Sequence, residues 1–215
     1  MSTQEGAARG PRDEGTKRSR YQSARGGMSI SGWLRLPAAR HRARRGQVPE
    51  RPWIVPAAIG WLRRRISRDW SVLELGAGRS TPWLARRAGR VLSFEDNEFW
   101  LNHTRERLAE AGLENVELSQ LPVERFADGI ARLQDGSFDL VLVDFLESPQ
   151  TDRVDAVHAA RSKVRPGGYL LLDDSDRPGY AEAYELLGGW RERRFVGVKD
   201  DWPEVCETSI FRRPS

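Results

Sequence analysis

The stretch VLELGAGRST, residues 72–81, carries a strand-forming segment into two glycines and then into Arg79, Ser80 and Thr81. Gly76 and Gly78 free the backbone to turn tightly and to let a ligand approach closely. A carboxylate, Glu95, closes the next apolar run, VLSFE, 19 residues after Gly76. From such a strand end a carboxylate accepts both hydroxyls of an adenosine ribose. Further acids close later apolar runs: Asp144 ends FDLVLVD, Asp173 and Asp174 end YLLLDD, and Asp176 follows. Carboxylates at those places act as a general base, meet a substrate amine, or hold a hard cation such as magnesium through oxygen. The plainer alternatives are a turn that happens to use glycine and strand-end charges that face water.

Side chains so placed need a scaffold, and the apolar spacing predicts one. PWIVPAAIGWLRRRI places Ile54, Ala58, Leu62 and Ile66 at i+4 intervals, a helix with one buried face. Residues 71–75 read as a strand, Gly76–Gly78 as a turn, and Ser80 or Thr81 as the cap of a helix with Pro82 in its first turn and Gly89 at its end. The alternation continues with a strand at 91–95 and a helix whose face carries Trp100, Thr104, Leu108 and Ala111 before Gly112. A strand at 115–120, a helix in RFADGIARL, a turn at 135–137 and a buried strand at 138–144 come next. Val154, Val157 and Val164 mark another helix up to RPGG, and YLLLDD, 169–174, is the following strand. Strands alternating with helices predict an α/β fold, a doubly wound, Rossmann-like, mostly parallel sheet. RRFVGVK and ETSIFRR, joined by DDWPEVC, leave no room for a crossover helix and predict an antiparallel hairpin at the sheet edge.

The chain of 215 residues suits one α/β domain. Residues 1–27 hold only Tyr21 as a large apolar group and are expected to be a disordered extension; Met28 is an alternative translation start. Residues 1–50 carry 11 Lys and Arg against 4 Asp and Glu, whereas the remainder is slightly acidic, so the basic character belongs to the N-terminal segment. The expected organisation is therefore 1–27, a basic segment at 28–51, and a folded body at 52–215. Within the basic segment HRARR, 41–45, fits RNA phosphates or, by preference, a solvated tail. His103 and His158 fall on predicted helix surfaces. A lone cysteine, Cys206, excludes an intrachain disulfide and a cysteine-rich zinc site. No apolar run is long enough to cross a membrane, and no signal peptide core is present, so a cytoplasmic protein is expected; oligomeric state is not readable.

Two features narrow what the first turn holds. Thr81 stands where a dinucleotide-binding turn has its third glycine, and no Gly-Lys-Ser/Thr follows as a Walker loop requires. VLELGAG with FEDN at the end of the next strand resembles the class I S-adenosylmethionine-dependent methyltransferases. The resemblance spans about residues 50–213 and continues through FDLVLVD and VRPGGYLLLDD. It implies a seven-stranded sheet with an antiparallel seventh strand beside the fifth. GAGRST, DDSDRP and ETSIFRR further resemble a group of small bacterial methyltransferases.

Carried over, the resemblance implies that Glu74, Gly76 and Gly78 form the pocket for the methionine part of the cofactor, with Ser80 and Thr81 at its carboxylate. Glu95 would hold the ribose, Asp96 and Asn97 would flank it, and Leu121, Pro122 and Val123 would border the adenine. Asp144, beside both cofactor and acceptor, is the first catalytic candidate, followed by Asp174 and Asp173. Catechol-type O-methyltransferases bind magnesium at comparable positions, but here Asp174 replaces their Asn and Glu147 their lysine, so Asp144, Asp173 and Asp174 as a magnesium site is the less favoured alternative. The loop 199–206 opens on the same rim, with Trp202 as a substrate cover and Asp200, Asp201 or Glu204 facing a cation; Trp33 and Trp53 are candidate lid residues. The expected reaction is in-line methyl transfer to an oxygen or nitrogen of a small molecule. An RNA methyltransferase using the Arg-rich segment, and a non-catalytic nucleotide- or NAD-binding module, are the alternatives, the first weakened because VDFLESP replaces the Asn/Asp-Pro-Pro-aromatic signature.

Overall fold

A computed structural model describes residues 30–45, 49–148 and 153–215, so the expected extension at 1–27 lies outside the described residues. Seven strands form one sheet: β1 (Ser71–Leu75), β2 (Arg90–Glu95), β3 (Val116–Gln120), β4 (Phe138–Val143), β5 (Val164–Asp173), β6 (Arg191–Val198) and β7 (Val205–Arg212). Their spatial order is β3-β2-β1-β4-β5-β7-β6. The first five are parallel, and β7 runs antiparallel to both β5 and β6. The antiparallel hairpin is thus as expected, with β7 beside β5 as the resemblance implies, so that β6 and not β7 forms the sheet edge. β1 has β2 on one side and β4 on the other, so the strand order reverses there and a crevice opens beyond its carboxyl end.

The helices are α1 (Ile30–Arg45), α2 (Pro56–Arg63), α3 (Ser80–Ala85), α4 (Glu98–Glu110), α5 (Phe126–Ala131), α6 (Arg153–Ala160) and α7 (Ala181–Leu186). The central strands are largely apolar because both faces are covered: Leu73, Val141 and Leu170 pack into one cluster with Phe126, Val157 and Ala183, whereas Val72, Leu140 and Leu171 pack into a second with Leu62, Trp83 and Leu108. Adjacent residues of one strand serve opposite cores, as the alternation of a pleated strand requires.

Three local expectations change. The first turn of α3 has Arg79, not Ser80 or Thr81, at its N-cap position, and Arg79 makes no side-chain cap bond. The buried face of α4 runs through Leu101, Thr104 and Leu108, while Trp100 is only half-buried beside His103. The Pro-Gly-Gly segment belongs to β5, as a register shift against β4 with Gly167 at φ +75°. The basic segment, for which no element was expected, contains the 16-residue α1, which includes Pro37 and buries Ala39.

Candidate functional site

The glycine turn is fixed at both ends by backbone bonds. Gly76 N–H donates to Phe94 O of β2 at 2.9 Å, and Asp144 N–H donates to Leu75 O at 3.0 Å. Gly76 itself is at φ +96°, and a Cβ there would stand 2.2 Å from Asp144 O, so both its conformation and the passage of β4 demand glycine. Gly78 faces open space.

Beneath the turn lies Glu74, fully buried. It pairs in register with Ser93 across β1 and β2, and the Ser93 hydroxyl donates to Glu74 Oε2 at 2.7 Å. Thr81 donates to the same oxygen at 2.6 Å while accepting from Gly78 N–H at 3.0 Å. Glu74 Oε1 has no hydrogen-bond partner. Burial, opposed by hydroxyl bonds from Ser80, Thr81 and Ser93, pushes the Glu74 carboxyl up to about 7. Glu95, at the end of β2, is also buried; its Oε1 accepts from Asn97 N–H at 2.9 Å, and burial pushes it up to about 8. Asp96 is half-buried beside it, and Asn97 caps α4 by accepting from Trp100 N–H. Leu121 N–H donates to Glu95 O at 3.0 Å, which brings Leu121, exposed Pro122 and buried Val123 to the same end of the sheet. A cavity of about 260 Å³ runs along this edge and touches that trio only at Leu121.

The second half of the rim carries other acids, and here Asp144, Asp173, Asp174 and Glu147 each meet a cation. Asp173 and Thr208 are register partners on β5 and β7, and Thr208 donates to Asp173 Oδ1 at 2.7 Å. Lys199 Nζ, fully buried, donates to Asp173 Oδ2 at 2.5 Å and to Asp174 Oδ1 at 2.9 Å. Arg177 Nη2 donates to Asp174 Oδ2 at 2.6 Å and Arg177 Nη1 to Glu147, which also accepts from the Tyr180 hydroxyl. Arg153 lies buried across the carboxyl ends of β4 and β5, donating to Asp144 Oδ1 at 3.0 Å, Phe145 O at 2.8 Å and Asp173 O at 2.7 Å. Burial opposes ionisation of Asp174, yet Lys199, Arg153 and Arg177 hold it well below the usual carboxylate range. Burial likewise disfavours the Lys199 ammonium, and Asp173 and Asp174 overcome it and raise its pKa well above the usual value. Asp174 adopts φ +50°, a left-handed conformation that Asp and Asn tolerate better than most residues.

A strap crosses this rim. Arg51 forms a two-pronged bond with Asp200, Arg42 of α1 donates to Asp200 O at 2.9 Å, and Trp53 Nε1 donates to Asp201 at 2.6 Å. The Trp53 ring meets Trp202 edge-on and covers Lys199 Nζ at 4.5 Å from its centroid. Asp200 therefore faces cations from the protein itself, whereas Asp201 is held by the neutral Trp53 indole; the Trp33 side chain lies outside the described residues. His103 stacks on Phe99 at the helix surface and His158 is exposed. Sequence reading missed Lys199, Arg153, Arg177 and Tyr180. Basic residues in a loop or at a helix start read as solvent-facing, and only the register of β5, β6 and β7 reveals their buried partners.

A profile of the methyltransferase domain family matches residues 73–175, the span from the glycine turn to the end of β5. Over that span the chain is similar to methyltransferase domains. Its mostly parallel, Rossmann-like sheet is a fold shared with solved methyltransferases. The ubiquinone biosynthesis O-methyltransferase of Acinetobacter baumannii (strain AYE) is 26% identical over 139 residues, covering 63% of this chain and 57% of that protein. The chain thus spans little more than half the length of the curated relatives it matches. The O-methyltransferase TomG of Streptomyces achromogenes, solved in complex with its methyl donor, superposes with TM-score 0.60 at 24% identity over 84% of this chain and 90% of that one. An rRNA methylase of Streptococcus thermophilus has the same fold, with TM-score 0.56 at 17% identity over 74% of this chain and 96% of that one. No helix among the described residues is long and apolar enough to cross a membrane.

Proposed function

We propose that the methyltransferase domain uses S-adenosylmethionine and transfers its methyl group in line to an oxygen or nitrogen of a small-molecule acceptor. The observation that carries this reading is the pair of buried carboxylates without basic partners, Glu74 and Glu95, on either side of a glycine turn at the point where strand order reverses. Glu74 Oε1 is an orphaned buried acceptor beside a turn that opens to free space at Gly78, which fits a ligand bearing an ammonium and a sulfonium. Glu95 would accept the ribose hydroxyls, Asp96 would flank them, and Leu121 and Pro122 would border the adenine. Gly76 would shape the turn, Ser80 would face the methionine carboxylate, and Thr81 would orient Glu74 rather than touch the ligand, since its hydroxyl is already donated.

When bound, the cofactor supplies an electrophilic methyl carbon; the protein aligns the acceptor and keeps water away. Asp144, 17% exposed and held at one oxygen by Arg153, is placed to accept a hydrogen bond from the acceptor and to take its proton. Asp173 and Asp174, locked by Lys199, would hold the rim in shape. An oxygen acceptor is favoured by the relatives' O-methyltransferase names. We read residues 28–51 as a cover joined to the body at 52–215, because Arg42 and Arg51 engage Asp200; the same bonds leave Arg42 occupied and count against an RNA-binding tail.

Calorimetry with S-adenosylhomocysteine and with NAD tests the donor assignment: binding of the first alone is expected, and binding of NAD alone would sink it. For the acceptor side, a metabolite panel assayed with wild type and Asp144→Asn should show unchanged S-adenosylhomocysteine affinity and reduced turnover in the variant. Full activity would remove Asp144 from the chemistry.

A further inference from the structure

The positions that would bind magnesium in a catechol-type rim are occupied by the protein's own cations. Magnesium requires six oxygen ligands at about 2.0–2.1 Å in near-octahedral array. Between Asp173 and Asp174 stands Lys199 Nζ, at 2.5 Å from one carboxylate and 2.9 Å from the other. Thr208 takes the remaining oxygen of Asp173 and Arg177 that of Asp174, so all four oxygens have donors. Arg153 engages Asp144, and the Trp53 ring closes the space over the ammonium. With Glu147, which shares Arg177 with Asp174, four carboxylates face three cations, so each acid beside Lys199 already has a positive partner and little charge is left to attract a divalent ion. Among the described residues no group of three or more His, Cys, Asp or Glu is arranged to hold a metal.

We propose that Lys199 is a built-in cation: its ammonium holds the place between Asp173 and Asp174 that a divalent metal would otherwise take, and the rim works without one. An ammonium brings one charge and three directed N–H bonds, where a metal brings two charges and open coordination positions. Lys199 therefore fixes the carboxylates and offers no coordination site to two vicinal acceptor oxygens. The acceptor must be placed by the side chains around Asp144 and by the strap. Lys199 is a positioning residue here, since it donates to Asp173 and Asp174 and is covered by the Trp53 ring.

The inference rests on the methyltransferase reading only in calling this side of the rim the acceptor side, and the experiment separates the two. Mn²⁺ is titrated into the full-length wild-type chain and followed by its paramagnetic resonance and by the melting temperature. The ion is expected to remain free and the melting temperature unchanged. Lys199→Ala, which leaves Asp173 and Asp174 facing an emptied space, should melt lower than wild type, take up Mn²⁺ and recover part of the lost melting temperature. Stoichiometric Mn²⁺ binding by wild type, or a folded Lys199→Ala that ignores the ion, overturns the proposal. If that variant does not fold, the wild-type titration decides by itself. S-adenosylhomocysteine calorimetry in EDTA and in Mg²⁺ should give the same affinity in both buffers, and a severalfold loss in EDTA would overturn the inference. Absence of binding in both would instead remove the methyltransferase reading.

Discussion

The two halves of the rim handle buried acid in opposite ways. Beyond β1 and β2, Glu74 and Glu95 are buried among hydroxyls and backbone N–H groups, with no Lys or Arg among the described residues bonded to either. Beyond β4 and β5, Asp144, Asp173, Asp174 and Glu147 are each tied to Arg153, Lys199 or Arg177. A buried carboxylate without a cation is costly, and burial duly raises the pKa of both Glu74 and Glu95. Such a group is an invitation to a positively charged or hydroxyl-rich ligand. A compensated carboxylate is a piece of framework. On the proposed reading the difference gives ligand binding to the first half and shape to the second.

The largest expected effect tests the framework half. Arg153→Met leaves Asp144 without its cation and the carbonyls of Phe145 and Asp173 without their donors, and removing one partner of a buried pair costs about 3–5 kcal/mol. Urea unfolding measures it, and a loss below about 1 kcal/mol would erase the contrast between the halves.

The next effect belongs to Glu74. Its pKa is raised from an ordinary 4.5 to about 7 in the folded chain, so between those values the folded state keeps a proton that the unfolded state has released. Its contribution therefore falls as pH rises from about 4.5 to about 7 and is flat above, a span on the order of 3 kcal/mol. Glu74→Gln should flatten this part of a stability-against-pH curve from urea unfolding; an unchanged slope would mean that Glu74 is charged when folded. Glu95→Ala should weaken S-adenosylhomocysteine binding by roughly 1–3 kcal/mol in calorimetry, the worth of hydrogen bonds to a charged group. Equal affinity would take the ribose away from Glu95. The smallest effect is a control outside both halves: Arg90 and Glu117 form a pair 63% and 59% exposed, and Arg90→Ala should change stability by about 0.5 kcal/mol or less.

Much of the donor half was legible in the sequence because its residues are local. Glu74, the glycines, Ser80 and Thr81 lie within one strand-turn-helix unit, and Glu95 ends the very next strand. The strands themselves were legible from apolar runs that need cover on both faces. The framework half was legible only in its acids. Lys199 follows β6 and meets Asp173 because β7 brings Thr208 into register beside that aspartate, 35 positions away in the chain. Arg153 opens a helix and would face water were it not laid across the ends of two strands. Sequence periodicity reports the face of an element, not which distant charge that face will meet. α1 escaped notice for a related reason: its last turns are crowded with Arg and His, it includes Pro37, and its described anchorage to Asp200 comes through a side chain 158 positions from its partner.

The place of β7 between β5 and β6 also sets an order of events during synthesis. β6 leaves the ribosome first, yet its neighbour in the sheet has not been made, and β5 offers it no hydrogen bonds. Until β7 arrives, the open edge of β5 stays unpaired and Asp173 lacks Thr208. The crevice by the glycine turn is complete in its strands once β4 ends at residue 143, whereas the charged framework closes only with the last strand. Released chains truncated before residue 205 and pulsed with protease should be cut in β6 while β1, β2 and β4 are protected, so the half proposed to bind forms before the half that frames it.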